Sequence, residues 1–230
     1  TGMSEKKSEF AMGWKVLLAG MIGIACGASP LPFNTIGFVL APLKAEFGWS
    51  FAQTSLGVTI YGIVGALLAP YFGSLADKHG VRQVALLSTL AFGLIFAFIG
   101  AIPASIFAFY TMWFLVGLVG IGSTPVTWSR AVYMWFYKDR GLALGILLVG
   151  TGISALVVPR VAVWAIGEWG WRGMYPAVAL FPLLVALPIA YIWFREPRPE
   201  ETPEEITSGG GPVGVSLGEA LRDRRFWTIW

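Results

Sequence analysis

Six stretches of this chain are so long and so apolar that a soluble core has no use for them, which narrows the fold before any single residue is weighed. A helix that crosses the hydrocarbon core needs about 20 predominantly apolar residues. The stretches run from Trp14 to Leu40, Thr54 to Phe72, Val84 to Ile102, Ser105 to Met134, Leu142 to Ile166 and Met174 to Phe194. Inside lipid each backbone N–H and C=O must find its partner within the segment, so the expected fold is an all-α membrane protein of six transmembrane helices. Charged residues make up 13% of the 230, against about 25% in ordinary soluble domains. The one cysteine, Cys26, lies inside the first stretch. It excludes an intrachain disulfide and reads as a small packing residue.

The basic residues give the stretches an orientation, because Lys and Arg collect on the cytoplasmic side. With the N-terminus inside, Lys6, Lys7, Lys15, Lys78, Arg82, Lys138, Arg140, Arg195 and Arg198 are all cytoplasmic. Only Lys44 and Arg172 fall outside, with Arg160 near the outer end of the fifth helix. An N-in, C-in topology follows, in the plasma (inner) membrane. The lysines ahead of the first stretch imitate a signal peptide, but the apolar run far exceeds the roughly 7–15 residues of a cleavable one. The net charge of +3 comes from short clusters between apolar blocks, which argues for a lipid bilayer and against a nucleic-acid partner.

Residues 1–13 then read as a cytoplasmic N-terminal segment and 14–194 as the six-helix bundle. Residues 195–225 read as a cytoplasmic linker rich in Pro, Glu and Gly, which has no means of burying a core. Its later part, Ser216 to Arg225, has the pattern of a short amphipathic helix, and Ser216 and Glu219 have capping-box spacing. Residues 226–230 read as the start of a seventh helix that is cut off, so the chain is expected to be a fragment. Glycines recur at three- or four-residue spacing inside the helices, which lets membrane helices approach closely. Prolines such as Pro30, Pro125 and Pro159 put bending points into helices one, four and five.

The sharpest local signal lies between the second and third stretches: Gly73-Ser74-Leu75-Ala76-Asp77-Lys78-His79-Gly80-Val81-Arg82. Gly73 is expected to end the second helix and Gly80 to permit the reversal. Asp77 is expected to accept backbone N–H groups at a helix N-terminus and to pair with a nearby base. This stretch resembles the loop motif of the major facilitator superfamily, with Val81 where the family carries a basic residue. The resemblance implies the N-terminal six-helix half of that fold. It also implies a conformational latch made by Gly73, Asp77, Lys78, Gly80 and Arg82. A second stretch, Trp135-Phe136-Tyr137-Lys138-Asp139-Arg140-Gly141-Leu142-Ala143-Leu144-Gly145, is similar to the pattern of the monocarboxylate porter and oxalate-formate antiporter group. Glu46-Phe47-Gly48-Trp49-Ser50 and Gly170-Trp171-Arg172-Gly173 echo the same group.

By that resemblance helices one and four line a cavity at the membrane midplane, facing a C-terminal six-helix half that this chain lacks. The candidate substrate-binding residues are Asn34, Thr35, Thr124, Thr127, Trp128, Arg130 and Arg160. An arginine at membrane depth is costly and is a functional-site hypothesis by default, and Arg130 suits a carboxylate. Its alternative is a side chain that snorkels to the interface. No Asp or Glu is expected inside the helices, with Asp77, Asp139 and Glu168 all assigned to loops, so a proton-accepting carboxylate would belong to the missing half. Animal monocarboxylate porters carry a Lys in helix one where Thr35 stands, so their proton-coupled mechanism does not carry over. The favoured function is alternating-access transport of small organic anions such as monocarboxylates, and a carrier of a sugar or drug is the alternative. An enzyme is excluded for want of a catalytic cluster, since His79 is the only histidine. No metal and no cofactor is called for.

Overall fold

The computed structural model describes residues 9–198 and Glu201. The expected linker helix over 216–225 and the expected seventh-helix start at 226–230 lie outside the described residues, as do Lys6 and Lys7. Among the described residues every regular element is helical. They are α1 (Glu9–Ala25), α2 (Pro30–Phe47), α3 (Phe51–His79), α4 (Val81–Phe98), α5 (Ile106–Gly120), α6 (Pro125–Trp135), α7 (Arg140–Leu180) and α8 (Leu187–Trp193). Among the described residues five runs are long and apolar enough to cross a bilayer: Glu9–Phe47, Phe51–His79, Val81–Ala101, Ile106–Trp135 and Arg140–Trp193.

Local chemistry sets the ends of these runs. Gly48 closes α2 at φ 72° and donates to the Lys44 carbonyl at 3.0 Å. Ser50 and Gln53 form a reciprocal capping box that starts α3. The first and fourth runs are each interrupted where prolines follow. α1 gives way to α2 just before Pro30, and a 3-10 turn at Ile121–Ser123 separates α5 from the Pro125 that opens α6. The bends expected in helices one and four are therefore real breaks, whereas α7 passes through Pro159 without one.

Two expectations are corrected here. The second helix does not stop at Gly73; it continues to His79, and the chain reverses at Gly80, where φ is 85°. The sequence expectation took the wrong glycine of the pair as the terminator, because only Gly80 adopts a backbone that side-chain-bearing residues avoid. As a result Asp77 lies on the last turns of a helix. Glu168 likewise lies within the α7 run and not in a loop, because the chain between the expected fifth and sixth helices stays helical up to a single residue. That residue is Gly170, with φ 68° and ψ −179°. It breaks the 54-residue run into two pieces.

On the side of this break an ion pair ties three elements together. Arg172 Nη2 pairs with Glu46 Oε1 at 3.1 Å, and Trp171 Nε1 donates to Glu46 Oε2 at 2.6 Å. Arg172 Nη1 also donates to the carbonyls of Gly100 and Ile102, just after the end of α4. Elsewhere the core is close-packed. A Cβ on Gly150 of α7 would stand 2.2 Å from the Met21 carbonyl oxygen of α1, so the two backbones touch directly.

Candidate functional site

A cavity of about 410 Å³ opens between α2, α3 and α6. Ser29 and Phe33 form one end, and Gly62, Ala66 and Ala69 of α3 form a wall of small side chains. Thr124, Thr127 and Arg130 face it from α6. Tyr61 adds an aromatic face and donates its hydroxyl to the Ala28 carbonyl at 2.5 Å, which fixes the ring. α6 can present these polar groups because the 3-10 turn and the extended Thr124 restart the helix there. The Thr124 hydroxyl turns back to the Ile121 carbonyl at 2.7 Å.

Arg130 is the one charged side chain on that wall. Its Nη1 donates to the Gly73 carbonyl at 3.0 Å and pairs with Asp77 Oδ1 at 2.5 Å. Gly73 leaves room for this arrangement: a Cβ there would lie 3.2 Å from Arg130 Nη2, a tight contact for the guanidinium. The glycine that was expected to end a helix instead makes room for a guanidinium.

The other candidates are dispersed. Thr35 is fully buried and spends its hydroxyl on the Leu31 carbonyl at 2.7 Å. Trp128 is fully buried in the core against Phe194, with its indole N–H on the Ser123 carbonyl at 3.1 Å. Neither lines the cavity. Asn34 reaches Ser154 of α7 at 3.4 Å. Arg160 is exposed on α7 and bonds the Leu156 carbonyl of its own helix. Of the seven candidates the structure gathers three, Thr124, Thr127 and Arg130, on one wall.

In the loop motif Asp77 pairs with a base as expected, through Arg130, but it does not serve as a helix cap. Glu196 caps α4 instead, accepting from Val81 N at 2.7 Å. Arg82 donates to the Tyr191 carbonyl at 2.7 Å and lies over the Tyr191 ring. Lys78 is exposed. The segment after α8 thus lies across the start of α4. Trp135 holds it by donating its indole N–H to the Arg195 carbonyl at 3.0 Å. Arg195 in turn grips Glu201 through two bonds of 2.6 and 2.7 Å. Those bonds, with a third from the Arg198 backbone, push the Glu201 carboxyl down to about 2. Glu9 makes a similar contact with the second motif, accepting from the backbone N–H groups of Tyr137, Lys138 and Asp139. Glu196 and Glu9 were not legible as site residues, since no spacing relates them to the turns they hold.

Five long apolar helical runs among the described residues mark a multi-pass membrane protein, and Arg130 puts a guanidinium in the wall of its cavity. The chain belongs to the Major Facilitator Superfamily, whose profile matches residues 14–230. This is a family of transporters and not of enzymes. The chain is 24% identical to the galacturonate transporter of Dickeya chrysanthemi, over 94% of this chain and 66% of the relative. It is 24% identical to the hexuronate transporter of Escherichia coli K12, over 94% of this chain and 52% of that protein. It is 32% identical to an uncharacterized 38 kDa protein of Thermoproteus tenax, over 84% of this chain and 47% of the relative. The chain therefore spans about half the length of the curated relatives it matches.

Proposed function

We propose that this chain is the N-terminal half of a secondary transporter that carries small organic anions by alternating access. The solutes are carboxylates, with monocarboxylates foremost. The observation that carries the reading is the placement of Arg130 on the cavity wall between Thr127 and the small-residue face of α3. A guanidinium can hold a carboxylate through two parallel bonds, and the Thr127 hydroxyl adds a neutral donor. The names of the two similar uronate transporters support a carboxylate cargo. Arg160, exposed on α7, serves as a second attractor for anions, and Asn34 as a polar contact from α2.

In this reading the chain makes six passes of the inner membrane, N-in and C-in, with the Gly170 break as the turn between the fifth and sixth. The lipid bilayer surrounds it, and a C-terminal six-helix half completes the cavity. Gly73, Asp77, Lys78, Gly80 and Arg82 act as the conformational latch on the cytoplasmic side.

The test is uptake by the full-length protein in proteoliposomes, using labelled L-lactate, pyruvate, oxalate, formate and D-galacturonate against a neutral sugar. Uptake of an acid, with loss in Arg130→Gln at unchanged expression, is the expected result. Competition by the neutral sugar and by none of the acids would replace the anion reading with a sugar carrier.

A further inference from the structure

Arg130 has two claims on it. It stands in the cavity wall, yet its Nη1 is already paired with Asp77 at 2.5 Å and bonded to the Gly73 carbonyl. The charge assigned above to a substrate carboxylate is thus engaged by a carboxylate of the protein itself. The two partners are unequally placed, since the Asp77 side chain is 68% exposed and that of Arg130 only 32%. An exposed carboxylate is rehydrated at little cost when it leaves an ion pair. The same guanidinium also lines the cavity, where a second carboxylate can take the place of Asp77 on it. Among the described residues no other acid pairs with Arg130.

We infer that Asp77 is an internal competitor for the anion site. A substrate carboxylate and Asp77 exchange at Arg130, so that loading the cavity releases Asp77 from α6. This deepens, and rests on, the reading of Arg130 as the anion-binding group. Pairing of Asp77 and binding of the anion are then antagonistic, and the antagonism is reciprocal by linkage. Asp77 lies on the last turn of α3, directly before Lys78 and the Gly80 reversal. An empty cavity keeps that turn tied to α6, and an occupied one frees it. Occupancy is thereby converted into freedom of the cytoplasmic end of α3, the coupling a carrier needs if it is not to cycle empty.

The experiment measures D-galacturonate uptake by the full-length protein in proteoliposomes, with L-lactate as second probe, in wild type, Asp77→Asn, Asp77→Glu and Arg130→Gln. Removing the competing charge is expected to lower the half-saturating concentration at least fivefold in Asp77→Asn while the maximal rate falls. Asp77→Glu is expected to return both towards wild type. A half-saturating concentration that is unchanged or raised in Asp77→Asn, with Arg130→Gln inactive, overturns the competitor role and leaves the anion site standing. Normal uptake in Arg130→Gln, or no uptake by wild type of these two acids or of pyruvate, oxalate or formate, overturns the anion reading and this inference together. A second measurement leaves Asp77 intact: a Lys78→Cys protein is labelled from the cytoplasmic face with a maleimide. D-galacturonate should speed that labelling severalfold, and an unchanged rate also overturns the exchange.

Discussion

A long side chain is located by its partners more than by its position in the chain, and Arg130 illustrates this. The sequence singled it out, because an arginine within an apolar helix is expensive in lipid. Its partner was not legible, since Asp77 lies 53 residues away and was assigned to a loop. Thr35 and Trp128 carried the same polar signal and went into the core, where each satisfies itself on a nearby carbonyl. Gly73→Leu is expected to drive the guanidinium out of its place, because even a Cβ approaches Nη2 to 3.2 Å. Uptake should fall at least tenfold, while Gly167→Ala, where a Cβ meets nothing within 4 Å, should transport as wild type. Gly150→Ala pushes a methyl to 2.2 Å from the Met21 carbonyl, and overpacking of that kind costs about 1–3 kcal/mol. Thermal unfolding in detergent should show a lower midpoint for that variant.

At the level of the helices, capping and reversal decide where each one ends. Ser50 before Gln53 is a start signal that the sequence displays openly. The start of α4 shows no such signal, because its cap arrives from Glu196, 115 residues later. Glu196→Ala leaves the Val81 N–H without that acceptor and should speed hydrogen exchange at Val81 and Arg82, with exchange in α5 unchanged. The Arg195–Glu201 contact has a defined pH range. Glu201 ordinarily titrates at 4.5 and here at about 2, so the native state holds its proton less tightly than the unfolded chain does. The contact therefore contributes fully above about pH 4.5 and is lost as pH falls through about 2. Because Arg195 lies over the Trp135 ring, the emission difference between wild type and Trp135→Phe should stay constant from pH 7 to about 4.5. It should change only at lower pH, and should not change there in Glu201→Gln.

For the molecule as a whole, burial separates the surfaces that face other helices from those that await lipid or a partner. In the most apolar stretch of Glu9–Phe47, 67% is buried, against 17% in Phe51–His79. The first run is thus central, and α3 presents most of its surface outward. Single cysteines can report which side of the membrane each turn faces, because the natural Cys26 is buried and contributes little background. With the proposed topology, Lys138→Cys should resist a membrane-impermeant maleimide added to intact cells, and Ser50→Cys should react. Labelling of both from outside would reverse or abolish the six-pass arrangement.

The all-helical membrane class was already determined by the apolar runs, since lipid penalises any unpaired backbone whatever the tertiary arrangement. The breaks before Pro30 and Pro125 were signalled by the missing proline N–H, but α7 runs through Pro159 unbroken, so the prolines marked candidates and packing chose among them. Tertiary structure alone decided that Glu196 caps α4 and that Asp77 holds Arg130 at the cavity. Each of these depends on which side chains meet after the helices pack. Such meetings link residues 53 to 115 positions apart, beyond the reach of any local pattern.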